Sequence, residues 1–453
     1  MRIAAFTNVY PPQVGGVERS VESTAGALRA LGHDVMVVAP QLAGARDDTG
    51  SEIFRVPSLE DFAGTGFALP LPTGEALARR LDDFAPQVIH AHHPFLLGDV
   101  ALHEATARGI PIVFTYHTRY ELLAGPESQG VAGYQRVVLR VAQSLALGYC
   151  DLCDGVVAPS RSVARFLRDS GVETAISVIP TGIDTERFQS GDRGGFRASY
   201  DLDDKAFVVG HVGRLAPEKN LSFLLDGVSA FLEAHREARF VLVGGGPMDT
   251  EIVGRLRDHG VADRVVLTGA LSGSELADAY AAMDVFAFAS RSETQGLVVA
   301  EAMAAGLPVV CLDAPGVGEI VDSGVNGLKL PADSDPQAFA DALRQLATSS
   351  AGALSDLRHE ARRTAAGLSL AICAGRLAEL YADLCAAAPV ALADDRHRWA
   401  GAVARFSDDI RNTATQAWSL GRAILPDLTD LGRRRVVDPG KIAPVRRVKT
   451  DTT

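Results

Sequence analysis

One stretch of this 453-residue chain concentrates side chains able to do chemistry: Ser290-Arg-Ser-Glu293-Thr-Gln-Gly296-Leu-Val-Val-Ala-Glu301-Ala-Met-Ala-Ala-Gly306-Leu-Pro308. It follows a strand-like run and opens a helix. Glu293 and Glu301 stand eight residues apart, about 12 Å along an α-helix. Carboxylates so separated suit opposite ends of an extended ligand rather than one small group. The amides of Gln295, Gly296 and Leu297 stand at the helix start, where unpaired N–H groups and the helix dipole favour an anion. Two solvated glutamates around an ordinary helix start are the plainer explanation; the flanking glycines and Pro308 favour a functional one.

A second piece, Gly213-Arg214-Leu-Ala-Pro-Glu218-Lys219-Asn220, also follows a strand-like run and precedes a helix. Arginine clasps phosphate bidentately and lysine adds a point charge. Positive side chains are not what a helix N-terminus prefers, so surface charge explains them poorly. Lysine is also scarce: Lys205, Lys219, Lys329, Lys441 and Lys449 are all there are. A third piece, Asn8-Val-Tyr-Pro-Pro-Gln-Val-Gly15-Gly16-Val17-Glu18-Arg19, is a loop whose paired glycines let backbone approach a ligand. Gly244-Gly245-Gly246-Pro247 lacks the G-x-G-x-x-G spacing and its acidic partner, which disfavours a nicotinamide cofactor.

Other spacings point to metals or redox chemistry less well. Asp201-Leu-Asp203 and Asp333-Ser-Asp335 fall in linker or loop and read as surface acids. His90-Ala-His92-His93 has no partnering carboxylate or thiol cluster and reads as a cleft lining or a satisfied strand end. Cys150-Asp-Leu-Cys153 has no second pair and reads as reduced and structural.

The elements that must position these residues alternate almost from end to end. Strand-like runs at Arg2–Phe6, Asp34–Ala39, Gln87–Ala91, Pro111–Tyr116 and Gly155–Pro159 are separated by helical patterns such as Val17–Leu31 and Ser160–Ser170. Alternation of this kind predicts βαβ units and a parallel sheet. It pauses over the polar stretch from Ile183 to Lys205. It restarts at Ala206–Val212, Arg239–Val243, Arg264–Leu267, Asp284–Ala289 and Pro308–Leu312. The expected division is an amino-terminal Rossmann-like unit over 1–183, a linker over 184–205 and a second Rossmann-like unit over 206–370. A crossover helix over 371–388 and a basic, partly disordered tail over 389–453 complete it. Two doubly wound units face a cleft at the carboxyl ends of their strands, where ligands of such sheets bind.

Composition agrees with an ordinary globular protein: 47 % hydrophobic, 22 % charged, net charge −12. An acidic chain without a clustered basic face is not expected to bind nucleic acid. Five cysteines in so long a chain suggest reduced thiols. With no apolar run of about 20 residues and no signal-like start, a cytoplasmic protein is expected. Arg433-Arg434-Arg435, Lys441, Arg446-Arg447 and Lys449 mark the tail as a solvated segment or an anionic contact.

Glu293-x7-Glu301, the Gly213-Arg214…Lys219 turn and the Gly15-Gly16 loop together resemble retaining glycosyltransferases of family 4, with the GT-B fold, over roughly residues 1–387. The resemblance implies roles, with the unit over 1–183 binding the acceptor and the unit over 206–370 the nucleotide sugar. Arg214 and Lys219 would neutralise a donor diphosphate, with the amides near Gln295, Gly296 and Leu297 completing the cradle. Glu293 would bind hydroxyls of the transferred sugar, Glu301 the ribose. Gly15 and Gly16 would approach the diphosphate from the other unit, and Leu271 would lie beside the base. His117 would stand near the transferred sugar and acceptor. Such enzymes are thought to react on one face, the leaving phosphate oxygen helping to deprotonate the acceptor. No metal and no resident cofactor would then be required, the nucleotide sugar being a co-substrate.

His92-His93-Pro94-Phe95-Leu-Leu-Gly98 and Thr115-Tyr116-His117-Thr118-Arg119-Tyr120-Glu121 resemble the subgroup with diacylglycerol glucosyltransferases and related glycolipid-forming enzymes. They imply a lipid or small-molecule acceptor and a peripheral position on the inner face of the cell membrane. The segment Val131–Leu147 sets Val131, Tyr134, Val138, Val141 and Leu145 at helical spacing, with Arg136 and Arg140 on another face. It suits an anionic bilayer or a core-facing helix with exposed arginines. Competing readings are a sugar-nucleotide 2-epimerase, a transferase acting on a soluble small acceptor, and a non-catalytic sugar-nucleotide-binding protein.

Overall fold

The computed structural model describes residues 1–13, 15–45, 52–59, 68–70, 74–119 and 133–387, with backbone alone at 74 and 133–138. The tail after 388, Tyr120 and Glu121, Val131, and the side chains of Tyr134, Arg136 and Val138 lie outside the described residues.

The first half contains β1 (Arg2–Phe6), α1 (Gly16–Ala30), β2 (Asp34–Pro40), β3 (Ile53–Val56), a two-residue antiparallel pair β4 (Ser58–Leu59) and β5 (Leu69–Pro70), and α2 (Gly74–Phe84). It continues with β6 (Val88–Ala91), α3 (Leu97–Arg108), β7 (Ile112–Thr115), α4 (Gly133–Cys150), β8 (Gly155–Ala158), α5 (Arg161–Asp169) and β9 (Ile176–Val178). Its parallel sheet runs β3-β2-β1-β6-β7-β8-β9. The central strands are near-continuous apolar runs, as expected where helices cover both faces.

After α6 (Thr185–Gln189) and α7 (Arg193–Ser199), the second half contains β10 (Val208–Val212), α8 (Leu221–Ala234), β11 (Arg239–Val243), α9 (Asp249–Asp258), β12 (Val265–Gly269) and α10 (Gly273–Ala282). Next come β13 (Val285–Phe288), α11 (Leu297–Ala304), β14 (Val309–Leu312), β15 (Gly327–Leu330), α12 (Pro336–Ala347), α13 (Ala351–Ala366) and α14 (Leu370–Ala386). Its sheet runs β12-β11-β10-β13-β14-β15, again parallel. In both sheets the order reverses beside the first strand, between β1 and β6 and between β10 and β13, so each has one topological switch point.

The stretch expected to be a linker is folded. Asp184 and Asp192 cap α6 and α7 by accepting from Arg187 N and Gly195 N, and Phe188 and Phe196 bury into the second core. Fully buried Arg197 donates to the Asp284 carboxylate at 2.9 Å and to the carbonyls of Asp203, Asp204, Ala206 and Ala282. Helices of five and seven residues are too short for a helical period to register; their Asp caps were the readable signal. The chain passes between the sheets at Ile179–Ile183 and returns at Leu368–Leu370, where Ile183 N donates to Leu368 O (2.9 Å) and Leu370 N to Ile183 O (3.0 Å). Helix α14 then lays Ala374, Leu377 and Tyr381 on the first sheet against Ile3, Val88 and Val113.

Candidate functional site

Above the switch point of the second sheet, the turn after β10 faces the turn after β13. The first ends in a 3₁₀ turn, Pro217–Lys219. From it Lys219 Nζ donates to Glu293 Oε1 at 2.6 Å, both side chains largely shielded. Arg214 is mostly exposed and pairs with Glu218 four residues on. Ser292 Oγ donates to Glu218 O at 3.0 Å and Asn220 Nδ2 to Ala289 O at 3.1 Å, so the two turns are sewn together.

Glu293 lies ahead of α11, so its interval to Glu301 is helical only from Leu297, and the helical span of about 12 Å does not apply. Gly296 caps α11 with φ +76°, a left-handed conformation that glycine alone adopts without strain. A Cβ on Gly316, φ +78°, would stand 2.8 Å from Glu293 O, so that turn is held by backbone passing without side chains between. The amides of Leu297 and Val298 open the helix, where no intrahelical acceptor exists for them. The Gln295 side chain is occupied elsewhere: it accepts from Thr181 N at 2.7 Å and donates to Thr181 O at 2.9 Å, tying the site to the crossing segment.

Glu301 is buried, and its Oε2 accepts from the Tyr280 hydroxyl at 2.9 Å. Burial raises its pKa above the ordinary carboxylate value, against the hydrogen bond and the charges of Arg19 and Arg187. Arg19 belongs to α1, so the first turn of that helix faces the second half. There Gly15 is the cap residue and a Cβ on it would meet the Glu18 carboxylate, whose pKa burial raises; Gly16 is open. Leu271, in the loop before α10, packs on the second core and lines a hollow of about 350 Å³ with Phe196, Tyr200 and Glu275.

Above the first sheet the chemistry changes. His117 follows β7, and its Nε2 lies 3.0 Å from Nδ1 of buried His92. His93 Nδ1 accepts from Asn8 N at 3.1 Å, while Asn8 Nδ2 donates to Phe95 O and Leu97 N to Asn8 Oδ1. Burial lowers the pKa of His90 and His117 to about 3 and of His93 to about 4, so these rings are neutral.

The structure thus joins Lys219 to Glu293 directly and brings Gln295, Gly296 and Leu297 to the adjoining helix start. It leaves Arg214 on Glu218 and Leu271 in a separate hollow. Sequence reasoning missed Tyr280, Thr181 and His92 as partners of Glu301, Gln295 and His117. It also missed His211 on β10, fully buried beside Phe286 and Phe288, whose Nδ1 donates to Ala287 O at 3.0 Å. Partners across loops leave no spacing to read, although a buried-strand histidine is a visible oddity. Asp203 and Asp335 serve backbone, accepting from Lys205 N and Ala338 N, and the Cys150 and Cys153 thiols donate to the Ala146 and Tyr149 carbonyls. Among the described residues no group of three or more His, Cys, Asp or Glu is arranged to hold a metal ion, and no helix is long and apolar enough to cross a membrane. In α4, Arg140 and Val141 are exposed while Ala146 and Tyr149 are buried.

Two facing parallel sheets with a charged turn and a helix start at the cleft define the GT-B glycosyltransferase class. The model of Glycosyltransferase Family 4 matches residues 14–187 and that of Glycosyl transferases group 1 matches residues 206–349. A GDP-mannose-dependent alpha-mannosyltransferase of Mycobacterium tuberculosis is 34 % identical over 352 residues, 76 % of this chain and 88 % of that protein. An alpha-monoglucosyldiacylglycerol synthase of Streptococcus pneumoniae is 29 % identical over 339 residues, 72 % and 74 % of the two chains. Among solved structures, HepE of Anabaena in complex with UDP superposes with a TM-score of 0.67 at 19 % identity, covering 84 % of this chain and all of that one. The chain belongs to the family 4 glycosyltransferases and is an enzyme of that class, which leaves the 2-epimerase and non-catalytic alternatives without support.

Proposed function

We propose that this glycosyltransferase moves a hexose, with retention, from a nucleotide-diphosphate sugar of the GDP-mannose or UDP-glucose type to a hydroxyl of a glycolipid acceptor. The observation that carries the reading is the Lys219–Glu293 pair beside the start of α11, at the second sheet's switch point. Relatives named for GDP-mannose and for diacylglycerol support the donor and acceptor classes. On donor entry, Lys219 and Arg214, the latter exchanging Glu218 for phosphate, neutralise the diphosphate, and the first-turn amides of α11 complete its cradle. Glu293 accepts hydrogen bonds from hydroxyls of the transferred sugar, Glu301 from the ribose, and Leu271 flanks the base. Gly15 and Gly16 close from the first half, with Glu18 displaced.

The sugar C1–O bond to phosphate breaks, leaving its electron pair on phosphate oxygen. The two cations and the oriented amides stabilise that charge most in the transition state. The acceptor oxygen bonds to C1 on the same face, and its proton passes to the departing phosphate oxygen. His117 stands beside the transferred sugar. These groups supply the neutralising charge without a divalent cation. The basic tail and Arg140 suit an anionic membrane surface on the cytoplasmic side.

The test is incubation with GDP-mannose or UDP-glucose and lipid acceptors, with and without EDTA. Free nucleotide and a glycosylated lipid, formed only with acceptor and equally under chelation, are expected. Epimerised donor without acceptor overturns the reaction, a soluble product alone overturns the acceptor class, and metal-reversible loss overturns the metal-free mechanism.

A further inference from the structure

Beneath the strand ends of the first sheet, against the crossing segments, lies a chamber of about 30 Å³ walled by Ser20, His90, His92, Thr115, His117 and Thr181. His92 is one of its walls. It is only 5 % exposed, and its ring meets that of His117 edge to edge through the 3.0 Å Nδ1–Nε2 contact, with planes 27° from parallel. The His90 ring lies 4.1 Å from it. His90 is itself immobilised, with Nδ1 2.6 Å from the Tyr381 hydroxyl of α14 and Nε2 2.7 Å from the Thr115 hydroxyl. His92 therefore touches both a fixed ring and the ring proposed to stand beside the reacting sugar.

Burial keeps both members of the His92–His117 pair neutral. A hydrogen bond between two neutral imidazoles holds one proton. If His92 Nδ1 carries it, His117 Nε2 accepts and His117 Nδ1 bears an N–H. If His117 Nε2 carries it, its Nδ1 presents a lone pair. The tautomer of His92 thus decides whether His117 offers a donor or an acceptor at its other nitrogen.

We propose that His92 is a positioning residue of this active site, holding His117 in one ring orientation and one tautomer through its Nδ1. The proposal rests on the placement of His117 beside the transferred sugar.

The test uses the full chain labelled with ¹⁵N-histidine and three variants. In His92→Asn the amide reaches about where Nδ1 stands; in His92→Gln it overshoots to the Nε2 position; His92→Leu has no polar group. Imidazole ¹⁵N–¹H correlation spectra are expected to show one His117 tautomer in the unaltered chain and in His92→Asn, and a mixture in the other two. With GDP-mannose and a lipid acceptor, kcat should be nearly retained in His92→Asn and fall about 10- to 100-fold in His92→Leu, with the KM for GDP-mannose little changed. An unaltered His117 spectrum in His92→Leu, or equal loss in His92→Asn and His92→Leu, overturns the proposal; His92→Gln supplies the same comparison should His92→Leu not fold. If His117→Ala keeps full turnover while His92→Leu still mixes the tautomers, the positioning stands and the placement of His117 at the sugar falls.

Discussion

The two sheets share the strand order around their switch points, yet what stands above each is opposite in character. Over the second, Arg214, Glu218, Lys219 and Glu293 form ion pairs within two turns. Over the first, His90, His92, His93 and His117 sit among hydroxyls, their charged forms suppressed by burial. The shared topology makes the crevice; the loops decide its chemistry. One lip carries ion-paired charge, the other neutral imidazoles.

Breaking the charged lip should cost most. Lys219→Ala removes a fixed cation where charge develops and is expected to lower kcat by about 10²–10³-fold, measured by nucleotide release. Glu293→Gln keeps the shape but loses the charged acceptor, and kcat should fall about 10- to 100-fold. If both variants turned over normally, the contrast between the lips would have no catalytic meaning.

Acid should find the other lip. For a histidine held low in the fold, such as His90 at about 3 against an ordinary 6.5, the unfolded chain binds the proton first. Stability is full above 6.5 and falls as pH drops toward the folded value. The slope is about 1.4 kcal/mol per pH unit for each fully buried ring. Thermal melting from pH 7 to pH 4 should show this, and His90→Gln should flatten the curve. A smaller effect is expected at Glu301, the proposed ribose subsite. Tyr280→Phe removes the hydrogen bond that favours the Glu301 carboxylate, so its pKa rises further. Donor KM should then increase several-fold, and on the acid side begin to climb at a higher pH than in the unaltered chain. Gln295→Ala should cost about 1–2 kcal/mol in stability by leaving both backbone groups of Thr181 without the amide, with less effect on kcat than either lip variant.

Much of this architecture was legible because buried parallel strands write themselves as unbroken apolar runs. Arg2–Phe6 and Arg239–Val243 coincide with the expected segments. The edge strands β3, β9 and β15 are mostly half-buried and are interrupted by Arg55, Ser177 and Lys329, so they lack the unbroken apolar run of the equally short central strands. In the site, Lys219 was readable because a helix start does not favour positive charge and lysine is scarce, and Glu293 because glycines and Pro308 accompany it. Tyr280 and His92 were not, since each is defined by a partner 21 or 25 residues away in the chain. The Ile183–Lys205 stretch was misread because two helices of under eight residues look like loop to any period-based argument.

The return of α14 to the first sheet makes synthesis order matter. The face formed by Ile3, Val88 and Val113 is shared between Val21, Ala25 and Leu28 of α1 and residues translated more than 250 positions after Val113. On the ribosome the amino-terminal half therefore waits, part of its greasy side uncovered, until Leu377 and Tyr381 have left the exit tunnel. A gene split near codon 183 would yield a sticky fragment in place of an independent module, and only the second half carries everything its own core needs.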